Sequence, residues 1–229
     1  MRYCRWLLSL LLLLSLGACS TVEGWFEVDD EDPTAPVDLV DFEETVKIKK
    51  LWSTGVGDGQ GKGLYKLQPV MAVNTIYAAG ADGEVKAIDR ERCKTIWDTE
   101  LDTGLSGGVG MHEDALFVGS SDGSVLKLSA QSGELHWSTR LQGEVLAPPQ
   151  SNGEVVVAQT YDGKLQGLDF ATGEKLWTYD SDVPVLNMRG TSATIINGDT
   201  VFAGCANGRV IAFDSRSGGV KWEVRVAIS

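Results

Sequence analysis

Apolar and polar positions along this chain alternate in short runs, and beyond residue 45 no apolar stripe persists at helical spacing. Residues 192–226 carry the pattern at its plainest. "SATIIN", "TVFAGCA", "RVIAFD" and "VKWEVRV" are short runs rich in β-formers, separated by "GD", "NG" and "SRSGG". Asn-Gly and Asp-Gly suit two-residue hairpins because both central positions need positive φ, which Gly tolerates and Asn or Asp accepts. The segment therefore predicts four antiparallel strands joined by tight turns.

The same unit recurs. Asp82-Gly83, Asp122-Gly123, Asp162-Gly163 and Asn207-Gly208 follow one another at spacings of 40, 40 and 45 residues. Trp97, Trp137, Trp177 and Trp222 keep the same intervals. Eight residues before each tryptophan stand Asp89, Ser129, Asp169 and Asp214, read as acceptors that stabilise a turn. Within that turn are Gly133, Gly173 and Gly218, with Cys93 in their place in the first repeat. Four strands in a period near 40 make one propeller blade, so the expected fold is all-β, with four blades of four strands in residues 46–229. Each tryptophan, on the outermost strand, is large enough to cover the neighbouring blade.

The fourth repeat is five residues longer than the others, and the excess lies in "VPVLNMRGTSAT", Val183 to Thr194. That places it on a rim loop, between the outer strand of one blade and the inner strand of the next. Leu186 and Met188 point the same way if extended, and Arg189 follows. Spacing leaves two readings open: an exposed apolar pair beside an arginine for binding a protein, or two side chains tucked into the seam between blades.

The N-terminus has a different character. Arg2 and Arg5 precede an apolar run, Trp6 to Leu16, which is shorter than the roughly 20 residues of a membrane-spanning helix. "LGAC" closes it and resembles the lipobox of bacterial lipoproteins, which implies a signal peptide over 1–18 and acylation of Cys19. Ten acids and no Lys or Arg fall between Glu23 and Glu44, leaving 22 acids against 18 bases from Thr45 onward. Most of the formal charge of −12 thus belongs to an acidic tether over 19–45, which repels itself and extends. No basic patch suggests nucleic acid.

Catalytic signatures are sparse. "GVGDGQGKG", Gly55 to Gly63, lacks the Ser or Thr and the following helix that a phosphate loop requires, and reads as an inter-blade connection. His112 and His136, the only histidines, stand in different repeats with no third ligand in register. Cys93 and Cys205 occupy different repeat positions and are expected to be free thiols. Neither a catalytic residue nor a cofactor or metal is expected.

The "[DS]xxxGxxxW" pattern resembles the tryptophan-docking repeat of the PQQ-type propellers. Together with the lipobox, the acidic tether and "VLNMRGTSAT", it is similar to the BamB family, lipoprotein propellers of the outer-membrane β-barrel assembly machinery. That resemblance implies a non-catalytic scaffold, lipid-anchored at the periplasmic face of the outer membrane through Cys19. It also implies that Leu186, Met188, Arg189 and Gly190 dock the POTRA region of BamA, the barrel-inserting subunit, and that nascent outer-membrane proteins are further partners. Met188 stands where the family motif has Leu. The family fold has eight blades, and Trp52 lies on what resembles an outer strand with no inner three before it, so the chain is expected to be a truncated form. A closed four-blade ring and a dimer of half-rings are the other closures. From another class, the alternative is a fragment of a periplasmic quinoprotein enzyme, although the adjacent Cys pair of those enzymes does not occur here.

Overall fold

The computed structural model describes residues 39–41, 43, 45–63, 65–185 and 189–227. The chain divides after Lys49, and every element below belongs to the unit that starts at Lys50. Among the described residues, sixteen strands form four separate four-stranded sheets. The first holds β1 (Val70–Ala72), β2 (Thr75–Ala79), β3 (Glu84–Asp89) and β4 (Lys94–Glu100). The second holds β5 (Leu105–His112), β6 (Ala115–Ser120), β7 (Ser124–Ser129) and β8 (Leu135–Arg140). β9 (Gln150–Ser151), β10 (Val155–Gln159), β11 (Lys164–Asp169) and β12 (Lys175–Asp180) make the third. The fourth is β13 (Ile195–Asn197), β14 (Thr200–Gly204), β15 (Arg209–Asp214) and β16 (Val220–Arg225). Within each sheet, space follows sequence order and all pairs are antiparallel, as the repeat predicts.

The core is a series of seams, because the middle strands bury both faces. Along β6, Leu116 and Val118 pack toward the first sheet while Ala115 and Phe117 pack toward the third. β10 repeats the arrangement one sheet later, with Val156 and Ala158 on one side and Val155 and Val157 on the other. Period-2 alternation with both sides apolar gives a wholly buried strand, and both strands are buried at every position.

The turn before each outer strand is built alike. The Asp89 carboxylate accepts from the backbone N–H groups of Glu91 and Arg92, Asp169 from Ala171 and Thr172, Asp214 from Ser217, and the Ser129 hydroxyl from Gln131 and Ser132. These N–H donors hold the Asp89, Asp169 and Asp214 carboxyls below their ordinary range. Four residues on, the backbone turns left-handed at Cys93, Gly133, Gly173 and Gly218.

The tryptophans then join the blades. Trp97 Nε1 donates to Ala130 O at 3.0 Å, Trp137 to Phe170 O at 3.2 Å and Trp177 to Ser215 O at 2.8 Å, each acceptor following the turn-forming Asp or Ser of the next blade. A β-bulge stands beside the tryptophan pairing in all four sheets, at Ala87/Ile88, Lys127/Leu128, Gly167/Leu168 and Ala212/Phe213. Bulges re-aim side chains, and here the indole leaves its own sheet to lie over the next. Trp222 is the exception. It is 46% exposed and meets Phe202 of its own sheet, and β16 is exposed along its length.

Trp52 follows the rule, although its segment differs from the expectation. Residues 51–56 are not a strand, since no described strand forms a backbone ladder with them, yet Trp52 Nε1 donates to Arg90 O at 2.9 Å. The glycine run that follows is a set of turns seated on the first sheet, with Asp58 N–H donating to Asp82 at 3.1 Å and Ala81 N–H to Gly59 O at 2.8 Å. Cys93 and Cys205 are free thiols.

Candidate functional site

The long connection between β12 and β13 is anchored at its C-terminal side. Thr194 is buried, and the Ser192 hydroxyl donates to Gly204 O at 2.8 Å, holding the chain against the end of β14. On the N-terminal side, Val183 packs over Gly163, and Val185 stands fully exposed. Cys19, Leu186 and Met188 lie outside the described residues.

Arg189 does not extend into solvent. Its Nη2 donates to both carboxylate oxygens of Glu144 at 2.7 Å, and its Nη1 donates to Gly63 O at 2.9 Å. The guanidinium carbon lies 4.9 Å from the centre of the Tyr65 ring. Tyr65 and Glu144 together raise the arginine above its ordinary value, so the group is a fixed cation. One side chain thus ties together the segment before β1, the β8–β9 connection and the β12–β13 connection. Gly190 follows at φ +156°, exposed and with open space where a Cβ would project.

Glu144 and Tyr65 belong to no motif of the sequence, and Gly63 stands there only as the end of the glycine run. The backbone of Glu144 does what the repeat asks of its position: Glu144 O accepts from Tyr161 N–H, as Gly104 O accepts from Ser121 N–H one blade earlier. The only local signal is a carboxylate where the preceding repeat has glycine. Its partner is 45 residues away, in a segment the other repeats lack.

Beside this network, a cleft of about 240 Å³ lies between the third and fourth sheets, lined in part by Gln159, Gly190, Thr191, Ser192 and Cys205. Elsewhere, Lys127 crosses the seam between the second and third sheets. Its ammonium donates to Phe170 O at 2.9 Å and sits 3.6 Å above the Phe170 ring, and burial lowers its pKa. His112 packs edge-on against the same ring. These are structural contacts, and among the described residues no group of three His, Cys, Asp or Glu is placed to hold a metal.

Residues 81–228 match a family model described as outer membrane protein assembly factor BamB. The chain belongs to the BamB family. The BamB of Xanthomonas campestris is 34% identical over 239 residues, covering 99% of this chain and 59% of that one. The crystal structure of BamB from Moraxella catarrhalis superposes with a TM-score of 0.68 and 28% identity, covering 71% of this chain and 49% of that one. The chain therefore spans little more than half the length of the curated BamB relatives it matches. The quinohemoprotein alcohol dehydrogenase of Comamonas testosteroni, at a TM-score of 0.55 and 16% identity, shares the fold alone. The match to the family model runs through the long β12–β13 connection and takes in Glu144 and Arg189, while Gly63 and Tyr65 precede it.

Proposed function

We propose that this chain is a non-catalytic scaffold of outer-membrane protein assembly, anchored by lipid at Cys19 to the periplasmic face of the outer membrane. In this reading its β12–β13 loop docks the POTRA region of a BamA-like barrel-inserting subunit and so assists insertion of nascent barrel proteins. One observation carries it: a family match that includes a loop presenting a fully exposed Val185 a few residues from a fixed arginine cation. Apolar side chains beside an arginine are the composition of protein-binding hot spots. The docking residues are Leu186, Met188, Arg189 and Gly190. The acidic tether gives the domain reach from the anchor.

Two measurements test this. Labelled palmitate should enter the wild-type chain and not Cys19→Ala; equal labelling removes the anchor. In a pull-down with the POTRA region, Arg189→Glu should lower binding about tenfold or more by putting a like charge against an acidic partner and unseating the loop. Its melting should fall modestly and the fold persist, since the change sets two carboxylates together on a rim loop, with Glu144 19% exposed, and leaves the seams between sheets untouched. Binding unaffected by Arg189→Glu would return the loop to plain packing.

A further inference from the structure

We propose that the cleft between the third and fourth sheets binds an uncharged amide group of a polypeptide, which Gln159 and Thr191 hold beside the Cys205 thiol. The site is separate from the docking contacts proposed above, and either reading can fail without the other.

Three departures from the repeat converge there. Three residues before the hairpin Asp or Asn stand Ala79, Gly119, Gln159 and Gly204, so the third sheet has a long polar side chain where the others have a small residue. One seam earlier the small residue has a steric reason: a Cβ on Gly119 would stand 2.4 Å from Val145 Cγ1 of the following connection. One position further on, Ser120 and Thr160 donate their hydroxyls to Asp122 and Asp162, whereas the fourth sheet has Cys205 and Asn207. The third departure is the lengthened β12–β13 connection, which supplies Gly190, Thr191 and Ser192 to the same cleft.

The hydrogen bonding of the cleft is unfinished. Gln159 is 6% exposed, and its Nε2 donates to Gly204 O at 3.2 Å. Among the described residues, three buried side-chain polar atoms have no partner, and two of them, Gln159 Oε1 and Thr191 Oγ1, belong to residues of this cleft. An unpaired buried acceptor is costly, and a group that pairs it on binding recovers that cost. Gln159 Oε1 can only accept, whereas the Thr191 hydroxyl can also donate. An N–H and a carbonyl carried together, as in an amide, complement that pair. None of the described lining residues is charged, so an ammonium or a carboxylate would be buried there without a counter-ion. At about 240 Å³ the cleft is larger than one water, whose share of liquid volume is about 30 Å³. A polypeptide offers the amide in two forms, the side-chain carboxamide of Asn or Gln and the main-chain peptide group.

Three neutral alkylating reagents test the site in the full chain, with Cys205 as reporter and Cys93 as internal reference. Iodoacetamide carries a primary amide, N-methyliodoacetamide a secondary amide, and methyl iodoacetate an ester without an N–H. In each case the sulfur displaces iodide and the thiol proton passes to buffer, so intrinsic reactivity cancels in the ratio of the two cysteines. Mass spectrometry gives the Cys205 to Cys93 rate ratio for each reagent. Iodoacetamide should give a ratio several-fold above that of the ester. Gln159→Ala, which places at 159 the residue type of Ala79, and Thr191→Val should each abolish that preference. A secondary-amide ratio as high as the primary one assigns the site to main-chain peptide groups, and one as low as the ester's assigns it to Asn or Gln side chains. Equal ratios for all three reagents in the wild-type chain overturn the proposal without any variant. An amide preference that survives in both Gln159→Ala and Thr191→Val overturns it too, since neither side chain then takes part.

Discussion

Trp137→Ala is expected to destabilise the chain by about 3–5 kcal/mol, the range for deleting a large aromatic from a packed seam. The indole closes the joint between the second and third sheets in three ways. It packs against the cluster of Phe117, Val156 and Leu168, donates Nε1 to Phe170 O at 3.2 Å, and lies over Gly173. Removing it leaves a cavity whose walls are two sheets that cannot collapse independently, and leaves Phe170 O with Lys127 as its remaining side-chain donor. Trp222→Ala is the internal control. That ring occupies the same repeat position but is 46% exposed, so its loss should cost far less. Urea unfolding of both variants decides the matter. Equal costs would mean that the repeat position, and not docking into the next blade, sets the contribution of the indole.

Gly173→Ala should cost about 2–4 kcal/mol, combining backbone strain with overpacking. At φ +76° an L side chain is disfavoured, and the new Cβ would stand 2.8 Å from the Trp137 ring and 2.7 Å from Thr139 Oγ1. Thr139 cannot easily yield, because its hydroxyl donates to Gly173 O at 2.7 Å. Strain alone is bearable in this turn, since Cys93 adopts φ +53° at the equivalent place. The extra cost at Gly173 comes from the ring above it. Accordingly, Trp137→Ala and Gly173→Ala should be strongly non-additive, the alanine at 173 costing much less once the indole is gone. Additive costs in calorimetry would show that backbone strain is the whole effect.

The repeat made most of the fold legible. Hairpin glycines, turn-forming acids and the tryptophan interval are local signals, and each turned out to mark the element it predicted. The bulge beside each tryptophan pairing was not legible, because a one-residue slip between β11 and β12 leaves the alternation of either strand unbroken. Lys127 escaped notice for another reason. It occupies an ordinary polar position in its own strand and acquires its role from Phe170 in the next sheet. The sequence around Trp52 resembles the other outer strands, yet Trp52 keeps their hydrogen bond without their ladder.

For the candidate site the balance is reversed. The loop was found because it broke the period, and Arg189 because it lay in that loop. What holds Arg189 comes from Glu144, at a position that keeps the period, and from the glycine-rich segment with Tyr65, which lies in the 45-residue interval between Trp52 and Trp97. Contacts between residues of different repeats leave no periodic trace, so only the folded chain brings them together.

The direction of the indole bonds also gives the molecule a clock. Trp52, Trp97, Trp137 and Trp177 all reach forward, to carbonyls 33 to 38 residues later, and none reaches back. A chain emerging from the ribosome or a membrane channel N-terminus first can latch a given blade only after the following one has come out. At about 5–20 residues per second of synthesis, a repeat of about 40 residues leaves each fresh blade ajar for roughly 2–8 seconds. Its apolar seam is open to water and to other unfinished chains throughout that interval. The tempo of emergence thus becomes a determinant of yield, and pauses placed just after a tryptophan should be the most hazardous ones.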